Sequence, residues 1–204
     1  MSTETIKQKF YGWRMIVGAN LVDFFSAGLA FYAYAVFFGF IQEEFSASRF
    51  LVSLTVSMTI LAAGIYSPLL GYILDKFPIK KVLTIGALIF GFGFILLSIT
   101  QTFFQFLLVY GAVIALGMVI FGNLSTSKLI ANWFNDKIGT ALGYASIGLS
   151  FSGVIIPPIA VFLISSFTWR GAYLIFGSFV LIICSISAYK FFIDKPEDLS
   201  LIHI

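Results

Sequence analysis

The spacing of the charged residues restricts what this chain can fold into more than any other feature. Asp, Glu, Lys and Arg make up 10% of its 204 residues. Long uncharged stretches lie between them, at residues 50–74, 82–127, 138–169 and 171–189. A further stretch from Arg14 to Glu43 contains a single charged residue, Asp23. Because a helix needs about 20 apolar residues to cross a bilayer, each of these stretches is expected to hold at least one membrane-spanning helix.

The stretch 82–127 is about twice as long as one span requires. Polar residues from Ser98 to Thr102 interrupt it, so we expect two helices joined by a tight turn there. Arg170 separates two further helices. The sequence therefore predicts an all-α membrane protein with six transmembrane helices in residues 14–192. Residues 1–13 are expected to be a cytoplasmic segment, and residues 193–204 the start of a cytoplasmic loop.

The composition excludes several classes of protein. Hydrophobic residues make up 60% of the chain and its mean hydropathy is +1.03, whereas a soluble domain carries about 25% charged residues. A soluble enzyme, a nucleic-acid-binding protein and a disordered segment are therefore not expected. Cys184 and His203 are the sole Cys and His, so we expect no disulfide, metal site or cofactor. No catalytic triad, HExxH motif or carboxylate pair indicates an enzyme.

The basic residues predict the orientation. If the N terminus is cytoplasmic, ten of the twelve Lys and Arg lie on that side and only Arg49 and Arg170 lie outside. Trp13, Trp133 and Trp169 fall at predicted helix ends, where an amphipathic ring prefers the headgroup layer. We therefore expect an integral protein of the plasma or inner membrane with both termini in the cytoplasm.

A few residues of the two halves of the chain match at a constant offset. At an offset of 89 residues four pairs of positions match, namely Ser57 with Ser146, Gly64 with Gly153, Pro68 with Pro157, and Lys81 with Arg170. The predicted helices containing these pairs run in opposite directions. The pattern favours two inverted three-helix repeats, an arrangement typical of secondary transporters.

Small residues four positions apart predict close contact between helices. Three such pairs are Gly139 with Gly143, Gly111 with Ala115, and Gly148 with Ser152. In a membrane, small side chains let two helix backbones approach each other where no hydrophobic effect drives association.

Motifs at the predicted helix ends resemble those of the major facilitator superfamily. The segment from Gly71 to Lys81 contains Gly, three residues, Asp75, the basic Lys76 and two further basic residues, Lys80 and Lys81, with Pro78 where the family usually has Gly. Segments 11–14, 132–137 and 194–199 resemble the monocarboxylate and oxalate/formate branch. The resemblance implies a secondary transporter for a small solute such as a carboxylate, working as a symporter or antiporter.

The resemblance also implies that a complete transporter has twelve helices in two domains. This chain is similar to the first domain alone, which predicts either a fragment that lacks the second six-helix half or a half-size protein that pairs with a second copy. The alternative function is a transport-inactive six-helix membrane protein with a structural or regulatory role. Expected partners are the lipid bilayer, a small-molecule solute and protons, but not nucleic acid.

Asp23 is the main candidate for the transport site. It lies about 15 Å beyond Arg14 at 1.5 Å per residue, and a charge at that depth costs about 2.5–3.5 kcal/mol. Asn20, Ala27, Ala30 or Phe31, and Tyr34 continue its helix face at successive spacings of three or four residues. One hypothesis is that Asp23 takes up a proton coupled to solute movement. The other is that it is a structural acid bonded to a neighbouring helix.

A second polar cluster lies on the predicted fourth helix, from Asn123 through Thr126 to Lys128. Lys128 either binds an anionic solute or extends to the headgroups. Tyr32 and Tyr34 are further candidates for solute hydrogen bonds. The monocarboxylate branch often has a solute-binding lysine midway along the first helix, and the resemblance places Tyr32 at that position, so that lysine is absent.

The signature loop is interpreted as a conformational latch. The resemblance implies that Gly71, Asp75, Lys76, Lys80 and Lys81 lie at the cytoplasmic face, where their contacts break during alternating access. The alternative is that these lysines only fix the orientation in the membrane.

Overall fold

The computed structural model describes residues 12–134 and 137–194, and every regular element in them is helical. The prediction of an all-α chain is confirmed for these residues. Within this described part of the chain, five helical runs are long and apolar enough to cross a membrane. We name them α1 (Gly12–Glu44), α2 (Arg49–Lys76), α3 (Ile79–Ser98), α4 (Phe103–Trp133) and α5 (Ile138–Phe191).

Local sequence explains where these runs begin and end. The Ser48 side chain accepts a hydrogen bond from the Leu51 amide, at 3.3 Å, and so caps the start of α2. Pro78 precedes the first residue of α3, where its fixed φ suits a helix start. Thr102 and Gln105 form a reciprocal capping box at the start of α4, in the polar break that the sequence indicated.

The run α5 is not one regular helix. Its 54 residues correspond to about 80 Å, whereas the hydrocarbon core of a bilayer is about 30 Å thick. At Thr168 the backbone leaves the helical region, with φ 64° and ψ 167°, and two helices meet there across a kink. A second interruption lies at Ser146. The sequence indicated a boundary at Arg170, two residues beyond the kink, and the six-span arrangement stays a prediction.

Two wide π-helical turns face each other inside the bundle, at Gly28–Ala33 of α1 and Val109–Ile114 of α4. Such turns weaken the regular backbone hydrogen bonding and are frequent at functional sites. The Tyr110 hydroxyl donates to the Ala30 carbonyl at 2.6 Å, and the Thr59 hydroxyl contacts the Tyr110 carbonyl at 3.4 Å. Side chains from α4 and α2 therefore satisfy the carbonyl groups of these turns.

Aromatic side chains fill the centre of the bundle. Phe37 of α1 stacks on Tyr173 of α5 with ring centroids 4.0 Å apart, and Phe94 of α3 stacks on the same tyrosine. Helix α3 is largely buried, whereas α2 is mostly exposed. A Cβ at Gly177 of α5 would lie 2.7 Å from the Gly91 carbonyl oxygen of α3, so these two backbones are in direct contact.

Only some of the helix contacts predicted from pairs of small residues are present. A Cβ at Gly148 would lie 2.1 Å from the Asn20 carbonyl oxygen, so that contact is confirmed. The prediction for Gly139 and Gly143 is wrong for the described residues, because nothing lies within 4 Å of a Cβ built at either position. The face of α5 that carries Gly139 and Gly143 is exposed, whereas Ala141 and Ala145 of the same segment are buried.

Candidate functional site: an acid at a broken helix

Helix α4 is interrupted between Ile120 and Asn123. Phe121 leaves the helical region and Gly122 is extended, with φ −162° and ψ −162°, before the second segment, Asn123–Trp133, begins. A Cβ at Gly122 would lie 2.3 Å from the Met118 carbonyl oxygen, so a side chain does not fit at this corner. The break places the N-terminal end of a helical segment inside the bundle.

Asp23 of α1 lies at this break and is 1% exposed. Its Oδ1 accepts a hydrogen bond from the Thr126 hydroxyl at 3.0 Å, and its Oδ2 accepts one from the Asn123 amide at 3.3 Å. A negative charge beside the N terminus of a helix is favourable because the unpaired N–H groups carry partial positive charge. Two polar groups that the sequence singled out separately, Asp23 and Asn123, are therefore in contact.

A cavity of about 260 Å³ opens beside the acid. Helices α1, α2, α4 and α5 all contribute to its wall, which is mainly apolar. Its polar lining residues are Asp23, Ser26, Ser67 and Asn123. Among these polar residues Ser26 and Ser67 were not predicted as site residues, and neither was Gly122 at the corner. The Gly-Asn dipeptide after an apolar run is a turn signal from which the corner could have been predicted.

Asn20 lies one turn before Asp23 but has a different environment. Its Nδ2 donates to the Ile16 carbonyl of α1 at 3.0 Å and to the Tyr144 carbonyl of α5 at 2.8 Å. Its Oδ1 accepts from the Gly148 amide at 2.6 Å. Both donors and the acceptor of this amide are engaged by backbone.

The two candidate tyrosines lie outside the wall of this cavity. The buried Tyr34 hydroxyl donates to the Val52 carbonyl of α2 at 2.7 Å. The partly exposed Tyr32 packs its ring beside Gly153 of α5, where an added Cβ would lie 3.0 Å from a ring carbon.

At one end of the bundle Lys128 forms an ion pair with Asp75, with Nζ and Oδ1 2.9 Å apart. The pair joins α4 to the end of α2, and both side chains are largely exposed, so its contribution to stability is about 1 kcal/mol or less. The structure brings Lys128 to the signature loop rather than to the cavity beside Asp23. A polar cavity of about 410 Å³ surrounds this pair.

The other residues of the signature loop have separate contacts. The Lys80 backbone amide donates to Asp194 Oδ1 at 2.8 Å, which caps α3 from the far end of the described chain. The Lys76 ammonium lies 4.1 Å from the centroid of the Tyr72 ring. Lys81 is exposed, and a Cβ built at Gly71 would meet nothing within 4 Å.

A second ion pair lies at the opposite end of the helix bundle. Arg170 Nη1 lies 2.5 Å from Glu44 Oε1, and Nη2 donates to the Thr100 carbonyl at 2.9 Å. These contacts tie the kink in α5 to the end of α1 and to the turn between α3 and α4. In the described residues no group of three or more His, Cys, Asp or Glu is arranged to hold a metal ion.

Comparison with known proteins agrees with this architecture. The family model of the Major Facilitator Superfamily matches residues 24–202, most of the chain. The chain belongs to this superfamily. Its members that match by sequence are transporters, not enzymes.

Several relatives are named for their solutes. Mouse monocarboxylate transporter 12 is 27% identical over 194 residues, which cover 93% of this chain and 39% of the relative. Mouse monocarboxylate transporter 4 is 27% identical over 183 residues, covering 87% and 37%. The uncharacterized MFS-type transporter YcxA of Bacillus subtilis is 26% identical over 135 residues, covering 66% and 33%. The chain thus spans about a third to two-fifths of the length of these relatives.

Proposed function

We propose that this chain forms part of the pathway of a secondary active transporter that moves a small carboxylate-bearing solute by alternating access, with Asp23 carrying a coupled proton. The observation that carries the proposal is the position of Asp23. It is a buried acid held by Thr126 and Asn123 at the break of α4, and it lines a cavity.

A proton on Asp23 would change the contact between two helices. The ionised carboxylate accepts hydrogen bonds from Thr126 and Asn123 and compensates the positive end of the segment that begins at Asn123. Neutralising the acid weakens these charge-assisted bonds. The link between α1 and the second segment of α4 then loosens, which couples proton uptake to helix movement.

The same step would prepare a site for a carboxylate. Once Asp23 is neutral, the N-terminal end of the segment Asn123–Trp133 no longer faces a negative charge, and an anionic solute in the cavity replaces it. The proton therefore binds before the solute. A carboxylate is the solute class we propose because the similar proteins include monocarboxylate transporters.

We further propose that the five helical runs cross the membrane six times, as two inverted three-helix repeats with both termini in the cytoplasm. The length of α5 and its kink at Thr168 support two crossings by that run. In this orientation the Lys128–Asp75 pair lies at the cytoplasmic side and the Arg170–Glu44 pair lies outside.

The Lys128–Asp75 pair is then the closed state of the latch in the signature loop. Its exposure allows it to exchange partners at small energetic cost.

The exposed face of α2 includes Leu61, Ile65 and Leu69. This face would be covered either by further helices, such as those in the rest of the relatives, or by a second copy of the chain.

The proposal is tested by uptake of a radiolabelled monocarboxylate such as lactate into proteoliposomes, with and without an inward proton gradient. The chain is assayed alone and fused to the remaining part of mouse monocarboxylate transporter 12. Gradient-driven uptake that falls more than tenfold in Asp23→Asn, but persists in Glu43→Gln, an exposed acid of the same helix, supports the proposal. Absence of uptake in both forms, with the protein correctly inserted, favours the transport-inactive alternative.

A further inference from the structure

The interruption of α5 at Ser146 coincides with the amide of Asn20. In an unbroken α-helix the Gly148 N–H would donate to the carbonyl four residues earlier, that of Tyr144. Here the Gly148 N–H donates to Asn20 Oδ1 at 2.6 Å, and the Tyr144 carbonyl accepts from Asn20 Nδ2 at 2.8 Å. One side chain of α1 thus occupies the place of one backbone hydrogen bond of α5.

The backbone around this point has adapted to the inserted amide. Ser146 has φ −77° and ψ −6°, and Leu149 N–H donates to the Ser146 carbonyl, three residues earlier, at 3.2 Å. The segment Ile138–Ala145 ends at the insertion and the next helix begins at Ile147. The break needs no proline, because Pro157 and Pro158 lie about ten residues further along the chain.

The contact also depends on the absence of a side chain at Gly148. A Cβ there would lie 2.1 Å from the Asn20 carbonyl oxygen and 3.0 Å from Asn20 Cα. The same pair of helices stays in contact further along, because a Cβ at Gly28 would lie 3.0 Å from Ser152 Cβ. The backbones of α1 and α5 therefore run close enough for a short carboxamide to bridge them.

We infer that Asn20 is a positioning residue that holds α5 broken at Ser146. It fixes the direction of the segment Ile138–Ala145 and makes that segment move with the part of α1 that carries Asp23. The role in transport rests on the function proposed above, whereas the insertion itself does not. Because the bilayer core offers no water to replace the amide, its loss leaves Tyr144 and Gly148 either unpaired or rejoined in a regular helix.

The test measures the distance across the break with spin labels at Ile138 and Val154, two exposed positions of α5, after Cys184→Ser removes the native cysteine. In an unbroken helix these positions are about 24 Å apart. We expect Asn20→Ala to shift the mean label distance by about 2 Å or more, on the order of one residue's rise. A distance distribution identical to that of the parent would overturn the inference.

A control separates this result from a general effect of altering the contact between α1 and α5. Ser152→Ala, on the same helix pair, is expected to leave the label distance unchanged. If Asn20→Ala does not fold, Asn20→Asp replaces it, because this variant keeps the side-chain shape but loses the N–H donors to Ile16 and Tyr144 and places a carboxylate beside their carbonyl oxygens. A broader distance distribution than that of the parent supports the inference, and an unchanged one overturns it. Uptake is not needed for either readout.

Discussion

Asn20 and Asp23 lie one turn apart on α1, and each meets a neighbouring helix where that helix is broken. Asn20 bridges the break in α5, and all its polar atoms bind backbone groups. Asp23 meets the break in α4, where its partners are side chains and a cavity opens beside it. Backbone partners cannot leave without distorting a helix, whereas side-chain partners can rotate away. We therefore propose that Asn20 holds the structure and that Asp23 changes it.

The largest effect on stability is expected at the α1–α5 contact. Gly148→Ala places a methyl group 2.1 Å from the Asn20 carbonyl oxygen, and the forced separation of two backbones costs about 2–3 kcal/mol. Thermal unfolding in detergent measures the loss. Gly139→Ala is the matched control on the same helix, because its methyl group meets nothing within 4 Å. Equal stability of the two variants would contradict the close contact.

Substitutions of Asn20 and of Asp23 are expected to change the free energy of unfolding in opposite directions. Asn20→Ala is expected to lower the free energy of unfolding by about 2 kcal/mol, because it leaves a backbone donor and a backbone acceptor without their partner. Asp23→Asn is expected to leave stability unchanged or raise it, since it removes a buried charge and keeps the shape. Denaturation of both variants side by side checks the opposite signs. A larger loss for Asp23→Asn would make Asp23 the structural residue.

A smaller effect is expected for Thr126→Val, which removes one of the two hydrogen bonds to the Asp23 carboxylate and keeps the side-chain volume. A hydrogen bond to a charged group contributes about 1.5 kcal/mol at the lower end of its usual range. We expect a slight loss of stability and a several-fold change in the pH dependence of uptake. Ser127→Ala serves as the control, because the Ser127 hydroxyl contacts Asn123 and not the acid. The same pH profile in all three proteins would contradict coupling through Thr126.

The smallest effect on stability is expected at the ion pair between Lys128 and Asp75. Lys128→Met removes an exposed pair worth about 1 kcal/mol or less, so unfolding changes little while the latch hypothesis predicts altered transport. Glu44→Gln makes the corresponding change at the Arg170 pair on the opposite end. If both variants transport at the rate of the parent, neither pair is a latch.

Much of this comparison could be read from the sequence. The apolar stretches located the helical runs, and the cost of a charge in hydrocarbon singled out Asp23. Helical periodicity placed Asn20 and Asp23 on one face of α1. The small residue Gly148 predicted the close approach of a second helix backbone.

The partners of these residues could not be read from the sequence. Thr126 follows Asp23 by 103 residues and Gly148 follows Asn20 by 128, and only tertiary packing brings them together. The different roles of Asn20 and Asp23 follow from these partners, because one residue meets backbone and the other meets side chains. The basic residues predicted that Lys128 and the loop of Asp75 lie on the same side of the membrane, but not that the two side chains pair.

The proton role of Asp23 is tested most directly by comparing two modes of transport in one variant. In Asp23→Asn, net uptake driven by a proton gradient is expected to fall more than tenfold, while exchange of solute at equal pH on both sides continues at a rate close to that of the parent. Retained exchange shows that the variant is folded and binds solute, so the loss belongs to the proton step. Gradient-driven uptake at the parent's rate in Asp23→Asn would contradict the account.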